Sequence, residues 1–103
     1  MAVLFMVIEK YRYGPGPVYE RFAQRGRMLP EGLAYIDSWV ADDGRLDLCF
    51  QLMETDDPGL LGTWRARWED LCDFEVVPVV KSAEAARRAA SRPARTAGSA
   101  SAS

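Results

Sequence analysis

The stretch "LAYIDSWVADDGRLDLCFQLME", Leu33 to Glu54, decides the fold, because two apolar runs flank an Asp43-Gly44 pair. A type I′ turn needs positive φ at both central positions, and Asp-Gly is among the pairs that tolerate it, so the stretch reads as a β-hairpin. Strand two is "LAYIDSWVA", Leu33 to Ala41, and strand three is "LDLCFQLME", Leu46 to Glu54. With the turn at Asp43-Gly44, Trp39 opposes Leu48, Asp37 opposes Phe50 and Tyr35 opposes Leu52 on one face. The other face takes Ser38 with Cys49, Ile36 with Gln51 and Ala34 with Met53.

Working outward, Val3 to Tyr11 is rich in β-branched and aromatic residues and is stopped by "YGPGP", the mark of a first strand. Pro17 suits the first turn of a helix, and Val18, Phe22, Gly26 and Leu29 recur at near-helical spacing until Pro30 forbids continuation. Pro30, Glu31 and Gly32 form the turn into the hairpin. After it, Asp57 is the expected N-cap and Pro58 the first residue of a second helix, where a missing amide hydrogen is no loss. Leu60, Leu61, Trp64, Trp68, Leu71 and Cys72 make its apolar stripe. "FEVVPVV", Phe74 to Val80, is a last strand, with Pro78 suggesting an edge or a bulge.

Strand, helix, strand, strand, helix, strand is the split βαβ plan, so the expected fold is α+β and ferredoxin-like: a four-stranded antiparallel sheet with both helices on one face. Domain 1–81 carries it. Residues 82–103 open with a short helical pattern, "AEAARRAA", and continue as an Ala-, Ser-, Gly- and Arg-rich tail without an apolar pattern, expected to be disordered. Both faces of the hairpin and of strand one are largely apolar, and two helices cover only one. The small residues Ala34, Ser38 and Cys49 assign their face to the helices. Tyr35, Trp39, Leu48, Phe50 and Leu52 are left for a partner, most economically a second copy in a two-fold homodimer.

The chain has 103 residues, of which 49% are hydrophobic and 27% charged, the balance of one globular domain. Through Lys81 there are 9 basic and 14 acidic residues, a net charge of about −5. The tail sets four arginines against Glu84 and is basic. An acidic body disfavours nucleic acid as a partner of the fold. The apolar run Ala2 to Ile8 is too short to span a bilayer and lacks the flanks of a signal peptide, so no membrane is expected. Cys49 and Cys72 are too far apart for a redox or zinc pair, and no histidine is present. No metal and no cofactor are therefore expected, and two reduced thiols fit a cytoplasmic protein.

The strings "FMVIE", "VYERFAQRGRMLPEGL", "YIDSWV" and "CFQLMETDDPGLLGTWRARWEDLCDFEVVPVV" resemble a bacterial family catalogued as domain of unknown function 3303, over about Val3 to Glu84. The resemblance implies the dimeric α/β-barrel group, in which two ferredoxin-like sheets pack face to face. Relatives in that group include cofactor-independent monooxygenases, lactone isomerases and haem-binding enzymes that hold a small ligand between sheet and helices. The histidine that several of them use has no counterpart here, which argues against haem.

Trp64 and Trp68 lie on the sheet-facing stripe, where they serve either as core alone or as core that also walls a cavity. Ser38 and Gln51 point towards the same helices, and Arg25 stands near the inner border of helix one. Together these five are the candidate ligand-binding residues, polar groups converging on an apolar space. Glu9 and Glu54 read as the solvated ends of neighbouring strands, with an acid/base pair as the alternative. "GPGP" denies the amides a phosphate loop needs, and histidine-dependent nucleophile arrangements are excluded, so no catalytic residue is named. The leading expectation is a homodimer that binds a small apolar or aromatic molecule between sheet and helices, with or without cofactor-independent enzyme activity. The alternative is a non-catalytic dimeric protein-interaction module.

Overall fold

The computed structural model describes residues 2–92. Its elements are β1 (Val3–Tyr11), α1 (Pro15–Arg25), β2 (Ala34–Val40), β3 (Leu48–Thr55), α2 (Gly59–Arg65), β4 (Cys72–Val79) and α3 (Ser82–Ala90). The strands form one antiparallel sheet in the order β2-β3-β1-β4, the ferredoxin-like arrangement that the element order predicted. The helical pattern after Lys81 is α3; the remainder of the expected tail, 93–103, lies outside the described residues.

The hairpin closes differently from expectation. Asp43 and Gly44 do not form a two-residue turn. Instead Asp43 Oδ1 accepts hydrogen bonds from the backbone N–H groups of Arg45 (3.0 Å) and Leu46 (3.3 Å), which holds a wider loop open. Ala41 N–H donates to the Leu48 carbonyl at 2.8 Å, and the Asp47 carbonyl is taken by Tyr11 of β1, also at 2.8 Å. The register therefore slips by two, pairing Trp39 with Phe50 and Ser38 with Gln51. A slip of two preserves faces, so Ser38, Cys49 and Gln51 still point towards the helices.

A bulge at Ile36 adds a second change, because Tyr35 then pairs with Met53 and turns to the helix-covered face. Tyr35 is thus removed from the surface expected to meet a partner. Ile36, expected to face the helices opposite Gln51, is 45% exposed.

Helix boundaries also move. α1 begins at Pro15 rather than Pro17 and stops at Arg25 rather than running to Leu29. Gly26 ends it at φ 67°, ψ −160°, a backbone region that only glycine visits readily, while its N–H still bonds the Phe22 carbonyl at 2.7 Å. α2 begins after Pro58 and ends at Arg65, so Trp68 is carried by the turns that follow, where its N–H bonds the Arg65 carbonyl at 2.9 Å.

The core lies between sheet and helices. β1 and β3 bury alternate residues, Phe5, Val7, Glu9 and Tyr11 from one and Cys49, Gln51, Met53 and Thr55 from the other, against Val18, Leu61, Trp64 and Trp68. None of Leu4, Met6, Ile8, Leu48, Phe50 and Leu52 on the opposite face is buried, and Trp39 beside them is 52% exposed.

Candidate functional site

The alternation of β1 that buries Phe5, Val7 and Tyr11 also turns Glu9 inward, where only 4% of its surface remains accessible. This overturns its reading as a solvated strand end. Glu54 pairs with Leu4, five residues along β1 and on the opposite face of the sheet, so the two carboxylates form no acid/base pair.

Gln51, on the same face of the neighbouring strand, donates a hydrogen bond from its side-chain amide to Glu9 Oε2. The Gln51 side-chain carbonyl accepts from Arg27 Nε at 3.1 Å, making a continuous line from guanidinium to carboxyl. Arg27 Cζ lies over the Tyr35 ring, 3.5 Å from its centroid, and 5.0 Å from that of Phe22. The Tyr35 hydroxyl is 2.7 Å from Ser38 Oγ.

The two tryptophans are fixed by one acceptor. Trp64 Nε1 and Trp68 Nε1 both donate to the Arg27 carbonyl, at 3.0 and 3.1 Å. The same residue thus anchors the indoles through its backbone and presents its guanidinium to the space beside them. Trp64 also meets Phe74 edge-on, with centroids 5.6 Å apart. Arg21 holds the outer side, pairing with both oxygens of Asp70 at 2.6 and 2.7 Å while lying 5.6 Å from the Trp68 ring.

These groups surround a cavity of about 160 Å³ lined by Glu9, Tyr11, Val18, Tyr19, Phe22, Arg27, Ser38, Val40, Cys49, Gln51, Trp64 and Trp68. Four of the five sequence-predicted site residues, Ser38, Gln51, Trp64 and Trp68, are brought together here. The fifth, Arg25, is exposed on α1 and takes no part. The early helix stop at Gly26 rotates the chain so that Arg27, two residues on, enters instead. Glu9 was weighed only as a strand end or as an acid/base partner of Glu54, and Arg27 was not placed at the cavity; the parity of β1 is what turns Glu9 inward.

Burial pushes the Glu9 carboxyl up to about 7, against the opposing pull of the Gln51 hydrogen bond and the Arg27 charge. Burial likewise raises the Cys49 thiol to about 11 and the Cys72 thiol to about 12, and it drives the Tyr11 hydroxyl upward. Among the described residues, no wholly buried side-chain oxygen or nitrogen lacks a partner. Among the described residues Glu9 Oε1 has no protein hydrogen bond, so it is not wholly buried, and Glu9 lines the cavity. A carboxyl that titrates near neutrality can give or accept a proton there. Among the described residues no cluster of side chains could hold a metal ion.

Fold and site together define a ferredoxin-like α+β domain with an aromatic-walled pocket between its sheet and helices. The chain belongs to the family described as domain of unknown function (DUF3303), whose model matches residues 3–92. Neither a curated protein nor a solved structure matches it.

Proposed function

We propose that this domain is a homodimeric α/β-barrel protein that binds a small, largely aromatic molecule in the pocket between sheet and helices. The observation that carries the reading is the cavity of about 160 Å³, in which two indoles, Glu9 and Arg27 converge on one apolar space. Such a combination of apolar walls with a few oriented polar groups is what a small-molecule site requires. Any turnover there is cofactor-independent acid–base chemistry, with Glu9 as the group that moves the proton.

Dimerisation is supported by the uncovered apolar sheet face, where Trp39, Ile36 and Val77 are exposed beside half-buried Met6, Ile8, Leu48, Phe50 and Leu52. The two cysteines are free and buried, which suits a cytoplasmic, reducing setting. Among the described residues no helix is long and apolar enough to cross a membrane.

Native mass spectrometry of freshly purified protein tests both parts. The reading expects twice the chain mass and, before extensive dialysis, an additional mass of a small organic molecule. Phe50→Glu should convert the species to monomer. A wild-type protein that is monomeric at micromolar concentration would remove the dimer from the account.

A further inference from the structure

We propose that the pocket's ligand is a one-ring carboxylate whose anionic group sits against Arg27 and whose binding draws a proton onto Glu9. This rests on the pocket reading above and names the ligand class for the same site. Arg12, Arg21 and Arg45 each pair with an aspartate, Asp73, Asp70 and Asp43 respectively. Arg27 lines the cavity, and among the described residues it has no carboxylate partner within ion-pair distance. Its Nε is spent on Gln51, and among the described residues its two terminal nitrogens make no protein hydrogen bond. A guanidinium held against an aromatic ring with its terminal nitrogens unoccupied matches a planar carboxylate, which can accept two parallel N–H bonds.

Size and wall chemistry set the rest of the ligand. A dry apolar cavity of about 150 Å³ holds a benzene-sized molecule, and the cavity here is about 160 Å³. One ring therefore fits between the indoles and Phe22, with its polar group towards Arg27 and Gln51. An amine is opposed by the Arg27 charge.

Glu9 supplies the proton site. Gln51 occupies Oε2, while Oε1 has no protein hydrogen bond among the described residues and is not wholly buried. The groups around it are the Tyr11 hydroxyl and the Cys49 thiol, with Cys72 from β4, Tyr19 from α1 and the Ser38–Tyr35 hydroxyl pair from β2. Arg27 is the one cation among them. A bound carboxylate places a second anion beside a single cation, and two carboxyls sharing one site hold one proton between them. The proton resides on Glu9 Oε1, which then donates to the ligand.

The sign of the pH dependence follows. Free Glu9 titrates at about 7, so well below that pH it is already protonated and binding takes up no proton. Well above it, each ligand bound brings one proton, and Kd rises about tenfold per pH unit.

Isothermal titration calorimetry of the full chain tests this, with benzoate, benzyl alcohol and benzylamine as probes at pH 5.5 and 8.5, in buffers of differing ionisation heat. Benzoate should bind best, with close to one proton taken up at pH 8.5 and close to none at pH 5.5. Arg27→Gln should weaken benzoate at least about tenfold and benzyl alcohol by less than about threefold, with Arg27→Lys in between. Glu9→Gln should abolish both the proton uptake and the pH dependence of benzoate binding between pH 5.5 and 8.5. If benzyl alcohol or benzylamine binds as tightly as benzoate at pH 5.5, or if wild type takes up no proton at pH 8.5, the inference is overturned while the pocket reading stands. If no probe binds at either pH, the pocket reading fails with it.

Discussion

Replacing Glu9 by glutamine removes a buried carboxyl whose ionisation the fold opposes, and the consequence is a change in how stability depends on pH. The folded-state value is raised from 4.5 to about 7. The folded protein therefore binds the proton more tightly than the unfolded chain does. The stability this confers is complete below about 4.5, is lost as pH climbs through 7, and then levels off. Each tenfold difference in proton affinity between the two states is worth about 1.4 kcal/mol, so the loss is about 3 kcal/mol. Few other groups interfere in that interval. Asp43 and Asp70 are held below their ordinary range, so their contribution disappears only as pH falls below about 4. Cys49, Cys72 and Tyr11 are raised, so their contribution is lost only above about pH 9, and the chain contains no histidine. Urea denaturation at fixed protein concentration, at pH 5, 6, 7 and 8, should show wild type falling by about 2 to 3 kcal/mol and Glu9→Gln staying nearly flat. A wild type as flat as the variant, or a variant that falls as steeply, refutes a buried, reluctantly ionised Glu9.

Trp64→Ala should cost about 3 to 5 kcal/mol by chemical denaturation, because Trp64 is 1% exposed and its indole N–H is spent on the Arg27 carbonyl. Gly32→Ala should be destabilised by about 1 to 3 kcal/mol, since Gly32 sits at φ +95° and an added Cβ would approach Leu60 Cδ1 to 2.9 Å. Neither cysteine should react with a thiol reagent at pH 8 in the folded protein, and both should react once urea unfolds it, because burial raises both thiols to about 11 and 12. Asp70→Ala should cost less than about 1 kcal/mol despite its two-point contact with Arg21, since the aspartate side chain is 60% exposed.

The fold was legible because its signals are local and redundant. Alternating apolar residues mark β1 and β3, prolines mark the starts of both main helices, and their order alone selects the ferredoxin-like plan. What escaped depends on single conformations that pattern does not encode. The hairpin register depended on whether Asp43 formed a tight turn or turned its carboxylate to its own loop, and it did the latter. The bulge at Ile36 leaves no mark in a β-branched, alternating strand, yet it carries Tyr35 across the sheet to stack on Arg27. At the site, Ser38, Gln51, Trp64 and Trp68 followed from period and parity, which survive a register slip of two. Arg25 was chosen for its place near the inner border of helix one, but it is exposed on α1 and does not line the cavity. Glu9 was misread because a charged residue near a strand end is usually solvated. Its phase with Phe5 and Val7 was the better guide.

The proposed ligand site makes Glu9 a cavity-facing carboxyl that shares its place with a ligand anion. A ¹³C NMR titration of the Glu9 carboxyl, assigned by comparison with Glu9→Gln, without and with saturating benzoate, tests it. The midpoint should lie near 7 in the free protein and be clearly displaced upward when benzoate is present. A midpoint in the ordinary glutamate range, unmoved by benzoate, would contradict it.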